Sequence, residues 1–184
     1  MNKMRPIRIA ITGVESTGKS SLTFLLAQHF TCPFAREMAR FDEAVVQNKV
    51  TLSDLTRLAN EQLYGCRKAE QSAIADGRDF VISDSDARIL EFWGKWVFHS
   101  LPVGLEEFRE WPDFTLVCAP NIPWEADPLR SLPNFSDRQK LHTEIMHSFG
   151  KHQPWFLIDA TSQQKRLEQA VRAVENFQKQ HLSG

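Results

Sequence analysis

Residues 13–20 read Gly13-Val14-Glu15-Ser16-Thr17-Gly18-Lys19-Ser20, which satisfies the pattern GxxxxGK[ST] without a gap. The residues before it, Ile7-Arg8-Ile9-Ala10-Ile11-Thr12, are short and β-branched and read as a buried strand. After Lys19 the period changes: Leu22, Leu25, Leu26 and Phe30 recur at i, i+3, i+4 and i+8, one face of a helix. A strand, a glycine-bearing turn and a helix aim successive N–H groups, and the positive end of the helix dipole, at phosphate oxygens. The glycines allow the close bend that this requires. In such a loop Lys19 reaches the β- and γ-phosphates and the Ser20 hydroxyl ligates Mg²⁺. Gly13, Val14, Glu15, Ser16, Thr17, Gly18, Lys19, Ser20 and Ser21 are therefore the expected ATP-binding set, with Ser20 as a metal ligand.

The rest of the chain constrains what surrounds that loop. Its 184 residues fit one domain able to bury a core without staples. The formal net charge is −1, so no basic field argues for nucleic acid or an anionic membrane. No apolar run approaches the ~20 residues of a membrane-spanning helix. Met1-Asn2-Lys3-Met4-Arg5-Pro6 shows no signal-peptide pattern. Cys32, Cys66 and Cys118 are odd in number and lack metal-site spacing, which implies reduced, buried thiols and a cytoplasmic protein.

Further along, Thr31-Cys32-Pro33-Phe34 breaks the first helix and leaves room for a short strand. Glu37 to about Asn48 reads as helical. Ser53 to about Ala75 reads as a long helix with the stripe Leu55, Leu58, Ala59, Cys66, Ala69 and Ala73, on which Gln62 replaces an expected apolar residue. Phe80-Val81-Ile82-Ser83 is a strand with Asp84 at its carboxyl end, and a Trp-rich helix follows over 87–98. Phe114 to Ala119 is another buried strand. Pro120 to Pro133 carries four prolines and reads as an ordered lid. Ser136-Asp137-Arg138-Gln139 and Thr161-Ser162-Gln163-Gln164 fit capping boxes opening two helices, on either side of a strand at Trp155-Phe156-Leu157-Ile158. Strands alternating with helices predict an α/β fold: a parallel sheet covered on both faces, a three-layer sandwich. Ligands in such sheets sit at the carboxyl ends of the strands, where strand order reverses.

Three carboxylates are candidates for chemistry at that end. Asp84 is placed to hold Mg²⁺, Asp86 follows it closely, and Glu37 lies where the second strand ends, facing an acceptor hydroxyl. The residues alone do not choose the proton acceptor among them. Arg130 and Arg138, on the lid and just beyond it, are placed to neutralise a transferring phosphoryl group once the lid closes. Lys19, Glu37, Asp84, Arg130 and Arg138 form the expected catalytic group.

Taken in order, the phosphate loop, Phe34-Ala35-Arg36-Glu37, Leu58-Ala59-Asn60-Glu61-Gln62, Ser83-Asp84-Ser85-Asp86, Trp93 with Phe98, and Ile122-Pro123-Trp124-Glu125-Ala126-Asp127-Pro128-Leu129-Arg130 resemble the ribosylnicotinamide kinase domain of the bacterial NadR family. The resemblance runs from about Arg8 to Phe177. It implies a P-loop NTPase sandwich of the nucleoside/nucleotide-kinase kind, a single kinase domain over 1–184, with an Arg-bearing lid at about 120–138. It implies transfer of the γ-phosphoryl group of ATP, with Mg²⁺, to the 5′-hydroxyl of nicotinamide riboside. Carried over, Arg36, Glu37, Gln62, Asp84 and Asp86 line the riboside side, Trp93 or Trp124 stacks on the nicotinamide, and Arg130 also touches ATP. The family's usual Asp-Thr-Asp stands here as Asp84-Ser85-Asp86, and the His-x-Gly-His motif of a fused adenylyltransferase is absent. The expected partner is a small-molecule nucleoside, with no nucleic acid and no membrane; the sequence leaves a homo-oligomer open. Two other readings stay open here: a regulatory P-loop ATPase, and a kinase of a different small-molecule acceptor.

Overall fold

A computed structural model of the chain describes residues 5–150 and 153–183. Residues 1–4, part of the stretch read as free of a targeting segment, lie outside the described residues. The sheet is built from β1 (Ile7–Thr12), β2 (Phe34–Ala35), β3 (Phe80–Asp84), β4 (Phe114–Cys118) and β5 (Trp155–Ile158). All pairings are parallel, in the order β2-β3-β1-β4-β5. The helices are α1 (Lys19–Phe30), α2 (Glu43–Val46), α3 (Leu52–Ala75), α4 (Ala87–Phe98), α5 (Glu106–Glu110), α6 (Phe135–His147) and α7 (Gln163–Ser183).

Side chains alternate across the sheet as a strand's two-residue period requires. Ile7, Ile9 and Ile11 of β1, Ile82 of β3, and Phe114 and Leu116 of β4 face one side, covered by Leu22 and Leu26 of α1 and Ala170 and Val174 of α7. On the other side Val81 packs under Leu58, Leu63 and Leu90 of α3 and α4. Val117 packs there beside Ile89 of α4 and Leu141 and Ile145 of α6. Each such aliphatic side chain contributes about 1.5–3 kcal/mol on burial. The three-layer α/β sandwich expected from the alternation of strands and helices is the fold observed.

β1 is the centre of the sheet, with β3 on one side and β4 on the other. From β1 the chain goes out to β2 at one edge, returns to β3 between β2 and β1, then crosses β1 to β4 and β5 on the other side. Strand order therefore reverses beside β1, and the loop leaving its carboxyl end opens into that crevice.

Several expected elements shift. The segment 37–48 is not one helix: a 3₁₀ turn spans Met38–Phe41, the chain extends at Asp42, and α2 restarts with Asp42 accepting from the Val45 N–H at 3.1 Å. Neither proposed capping box forms. Helix α6 starts two residues earlier, with Asn134 rather than Ser136 at its N-cap and no side-chain cap. At α7 the Ser162 hydroxyl, rather than Thr161, accepts from the Lys165 N–H at 3.4 Å. The box that does form lies at α3, where Thr51 and Asp54 cap each other's N–H groups. The three cysteines are free and buried, as their spacing implied. Residues 120–134 carry no helix or strand, as expected of the lid.

Candidate active site

The loop after β1 needs its glycines. Gly13 has φ 141°, and a Cβ there would lie 2.7 Å from the Cys118 carbonyl oxygen of β4. Gly18 adopts left-handed φ 73° as the N-cap of α1. Inside the loop the Thr17 hydroxyl donates to the Val14 carbonyl at 2.7 Å, and the Lys19 ammonium donates to the same oxygen at 3.0 Å. Lys19 thus lies folded over the loop and largely buried. A residue with no local sequence signal supports it from behind: buried Arg166 of α7 donates to the Thr17 carbonyl at 2.9 Å, to the Ala160 carbonyl at 2.9 Å and to the Asn121 side-chain oxygen at 3.0 Å.

A cavity of about 1050 Å³ opens over this loop and continues toward β2. Residues 13–21 line one half of it. Arg36, Glu37 and Trp93 line the other, Asp84 lies between Glu37 and the loop's Ser20 and Lys19, and Phe24, Phe34, Phe41 and Trp96 add an aromatic wall that sequence reasoning did not single out. Of the lid residues, Pro128, Leu129, Arg130 and Ser131 line the cavity, and Arg130 donates to the Ser16 hydroxyl at 3.3 Å and to the Glu125 carbonyl.

Asp84 and Asp86 diverge. Ser85 between them holds φ 96°, a strained value for a residue with a side chain, and its carbonyl accepts from the Ser83 hydroxyl at 2.8 Å. Asp84 turns into the cavity, and its Oδ1 is buried without a hydrogen-bond partner. Burial pushes its carboxyl pKa up, the Glu37 charge adds to that, and the Ser20 hydroxyl and Lys19 offset part of it. Asp86 turns into the core instead. It pairs with Arg88 at 2.6 Å, accepts from the Thr12 hydroxyl at 2.7 Å and caps α4 through the Arg88 N–H. It is fully buried and does not line the cavity, so the structure does not place it on the riboside wall that the resemblance implied.

Gln62 lies beneath the wall rather than in it. Its side-chain oxygen accepts from the Met38 N–H at 2.8 Å, and its amide donates to the Ser83 hydroxyl at 3.2 Å and the Asp84 carbonyl at 3.4 Å. That explains a polar residue on an apolar stripe: it ties the segment after β2 to the end of β3. Trp93 lines the cavity; Trp124 does not, and its indole N–H instead meets Glu15 at 3.4 Å. Arg138 is likewise off the cavity wall. It sits on the first turn of α6, whose inner face packs into the core, with its guanidinium 5.7 Å from the Phe135 ring and its Nε and Nη1 unpartnered. Arg40 was not anticipated. Its guanidinium bridges Glu37 at 3.1 Å and lid residue Asp127 at 3.3 Å, tying the β2 side of the cavity to the lid.

Among the described residues no cluster of three or more His, Cys, Asp or Glu side chains forms a ready metal cage. A Mg²⁺ that travels with a nucleotide does not need one: it keeps waters and phosphate oxygens and takes one or two protein ligands. The orphaned Asp84 oxygen next to the Ser20 hydroxyl fits that requirement.

A strand-loop-helix phosphate cradle at the reversal point of a parallel sheet covered on both faces defines the P-loop NTPase fold. The chain belongs to the AAA domain family, whose sequence profile matches residues 8–176. A comparison with curated protein sequences gives no match. Among solved structures it is similar to a NadR protein in complex with NAD and AMP-PNP, at 23% identity and TM-score 0.72 over 93% of this chain and 49% of that one. It is also similar to a NadR protein in complex with NR, at 22% identity and TM-score 0.67 over 95% of this chain and 52% of that one. This chain therefore spans about half the length of those proteins. A thymidylate kinase from Ehrlichia chaffeensis matches at 12% identity and TM-score 0.63, over 93% of this chain and 100% of that one. Among the described residues no helix is long and apolar enough to cross a membrane.

Proposed function

We propose that this chain is an ATP-dependent kinase that phosphorylates the 5′-hydroxyl of a nucleoside, with nicotinamide riboside as the first acceptor to test. The observation that carries the reading is the single cavity with two unlike halves. One half is a phosphate cradle; the other is an aromatic-walled slot with Glu37 and Arg36 at its edge. A hydrolytic switch needs the first half only. The NadR structures with AMP-PNP and with NR are in keeping with that division.

In this reading the amides of residues 13–20 and the Lys19 ammonium hold the triphosphate, and Ser20 and Asp84 hold Mg²⁺. The metal supplies charge neutralisation on the phosphates. The oxygen of the acceptor hydroxyl bonds to the γ-phosphorus, the bond from that phosphorus to the β–γ bridging oxygen breaks, and ADP leaves. Glu37 accepts the hydroxyl proton, held in place by Arg40. Asp84 would be engaged with Ser20 and the cation, and Asp86 is buried against Arg88 away from the cavity; Glu37, although paired with Arg40, lines the cavity and is the carboxylate that an acceptor hydroxyl could reach. Trp93, one of the rings lining the cavity, stacks on the base in this reading, and Arg130 screens the charge spread over the moving phosphoryl group.

The test is ADP release with Mg²⁺ and ATP across a panel of nucleosides. Release should be slow alone and rise at least tenfold with an accepted nucleoside, with a phosphorylated product by mass spectrometry. Fast release that ignores every nucleoside would instead support a regulatory ATPase. A rise with another nucleoside but not nicotinamide riboside would redirect the acceptor and keep the reaction class.

A further inference from the structure

We infer that Glu15, an acidic residue inside the phosphate loop, is the latch that registers the 123–132 strap on that loop and so delivers Arg130; the inference deepens the kinase reading above and rests on it. A carboxylate in a loop that gathers phosphate oxygens opposes its own ligand by like-charge repulsion unless its charge is engaged elsewhere. Here it is engaged. The Glu15 carboxylate accepts from the Leu132 N–H at 2.6 Å, the Ser131 N–H at 3.0 Å and the Trp124 indole N–H at 3.4 Å. Every one of these donors belongs to the strap.

The next residue completes the fastening. The Ser16 hydroxyl accepts from the Glu125 N–H at 2.9 Å and from Arg130 at 3.3 Å. Two adjacent loop residues therefore hold both ends of a strap with no helix or strand of its own, and Arg130 lies between the two attachments. Leu132, buried beside Val14 and Leu141, anchors the far end in the core. The Glu15 contacts are charge-assisted and are made mainly to backbone, so they fix the strap's register. A slip of one residue along the strap would leave Arg130 aimed away from the loop. Glu15 is thus a positioning residue: the loop that binds the triphosphate also sets where the lid arginine arrives.

Backbone amide exchange by mass spectrometry on the full chain tests this directly, with steady-state kinetics beside it. In Glu15→Ala, peptides covering 124–132 should exchange about tenfold faster or more, while peptides from β1 and α1 keep their wild-type rates. Glu15→Gln, of the same shape, should fall between, because its amide keeps one acceptor and sets an N–H against the other strap amide. In both variants kcat should fall about ten- to a hundredfold with KM for ATP within about threefold of wild type, since the cradle is intact and the lid group is misplaced. Unchanged strap exchange in both variants would overturn the latch. So would a raised KM for ATP at unchanged kcat, which would make Glu15 a ligand of the nucleotide. If the wild-type protein phosphorylates no nucleoside, the kinase reading fails, and the exchange result still decides the latch.

Discussion

Ser85 is a residue-scale device with two outcomes on either side of it. Its left-handed backbone sends Asp84 to the cavity and Asp86 to the core, so adjacent acids experience opposite conditions. Asp84 is ionised only against its burial. Its pKa is raised on folding, so its contribution to stability is most favourable at low pH, where the carboxyl is protonated in folded and unfolded chains alike. The contribution turns unfavourable as pH rises through the folded value. Asp84→Asn is therefore expected to be more stable than wild type at neutral pH, with the gap closing as pH falls below the ordinary carboxylate range; urea melts across pH check this. The same variant should lose about 10²–10³ in kcat, the scale of removing one preorganised charge-stabilising group. Asp86→Asn goes the other way, because it leaves the buried Arg88 charge uncompensated, and should lose about 3–5 kcal/mol in the same melts. Sequence reasoning placed Asp84 from the strand that precedes it. It grouped Asp86 with Asp84 because proximity in sequence carries no information on a single positive φ.

At the scale of elements, the β1–α1 junction was legible in full because each of its parts obeys a local rule: a β-branched strand, two glycines and a helical period. Gly13 shows how little slack the junction has. Gly13→Ala meets both a left-handed φ and the Cys118 carbonyl, and is expected to cost about 1–3 kcal/mol or more of stability. ATP is expected to raise the Tm of the wild-type protein, and Gly13→Ala should abolish that rise. The segment 37–48 was less legible. Its composition suits a helix, but the tertiary ties from Gln62 to Met38 and from Arg57 to Asp42 hold it as a 3₁₀ turn and a short helix. Such ties override local propensity. The lid was recognisable from its prolines, yet its attachment to Glu15 and Ser16 joins residues more than a hundred positions apart, a distance that no local pattern spans.

At the scale of the whole molecule, a parallel sheet reverses its strand order beside β1 and puts loops from β1, β2, β3 and the lid around one crevice. The architecture followed from the alternation of strands and helices. Which rings face the crevice did not, because no local pattern separates Phe24, Phe34, Phe41 and Trp96 from rings that pack in the core, and only the assembled fold brings them to one wall. The strap ties both halves together, Glu15 and Ser16 at the phosphate end and Arg40 with Asp127 at the acceptor end. Arg130→Ala should therefore lower kcat about 10²–10³-fold while ATP affinity by titration changes little. The central claim is that the γ-phosphoryl group passes to an alcohol rather than to water. Incubation with γ-labelled ATP, Mg²⁺ and nicotinamide riboside tests it most directly. The account predicts the label in a riboside 5′-phosphate, with little in inorganic phosphate; label in inorganic phosphate alone, whatever nucleoside is offered, would contradict it.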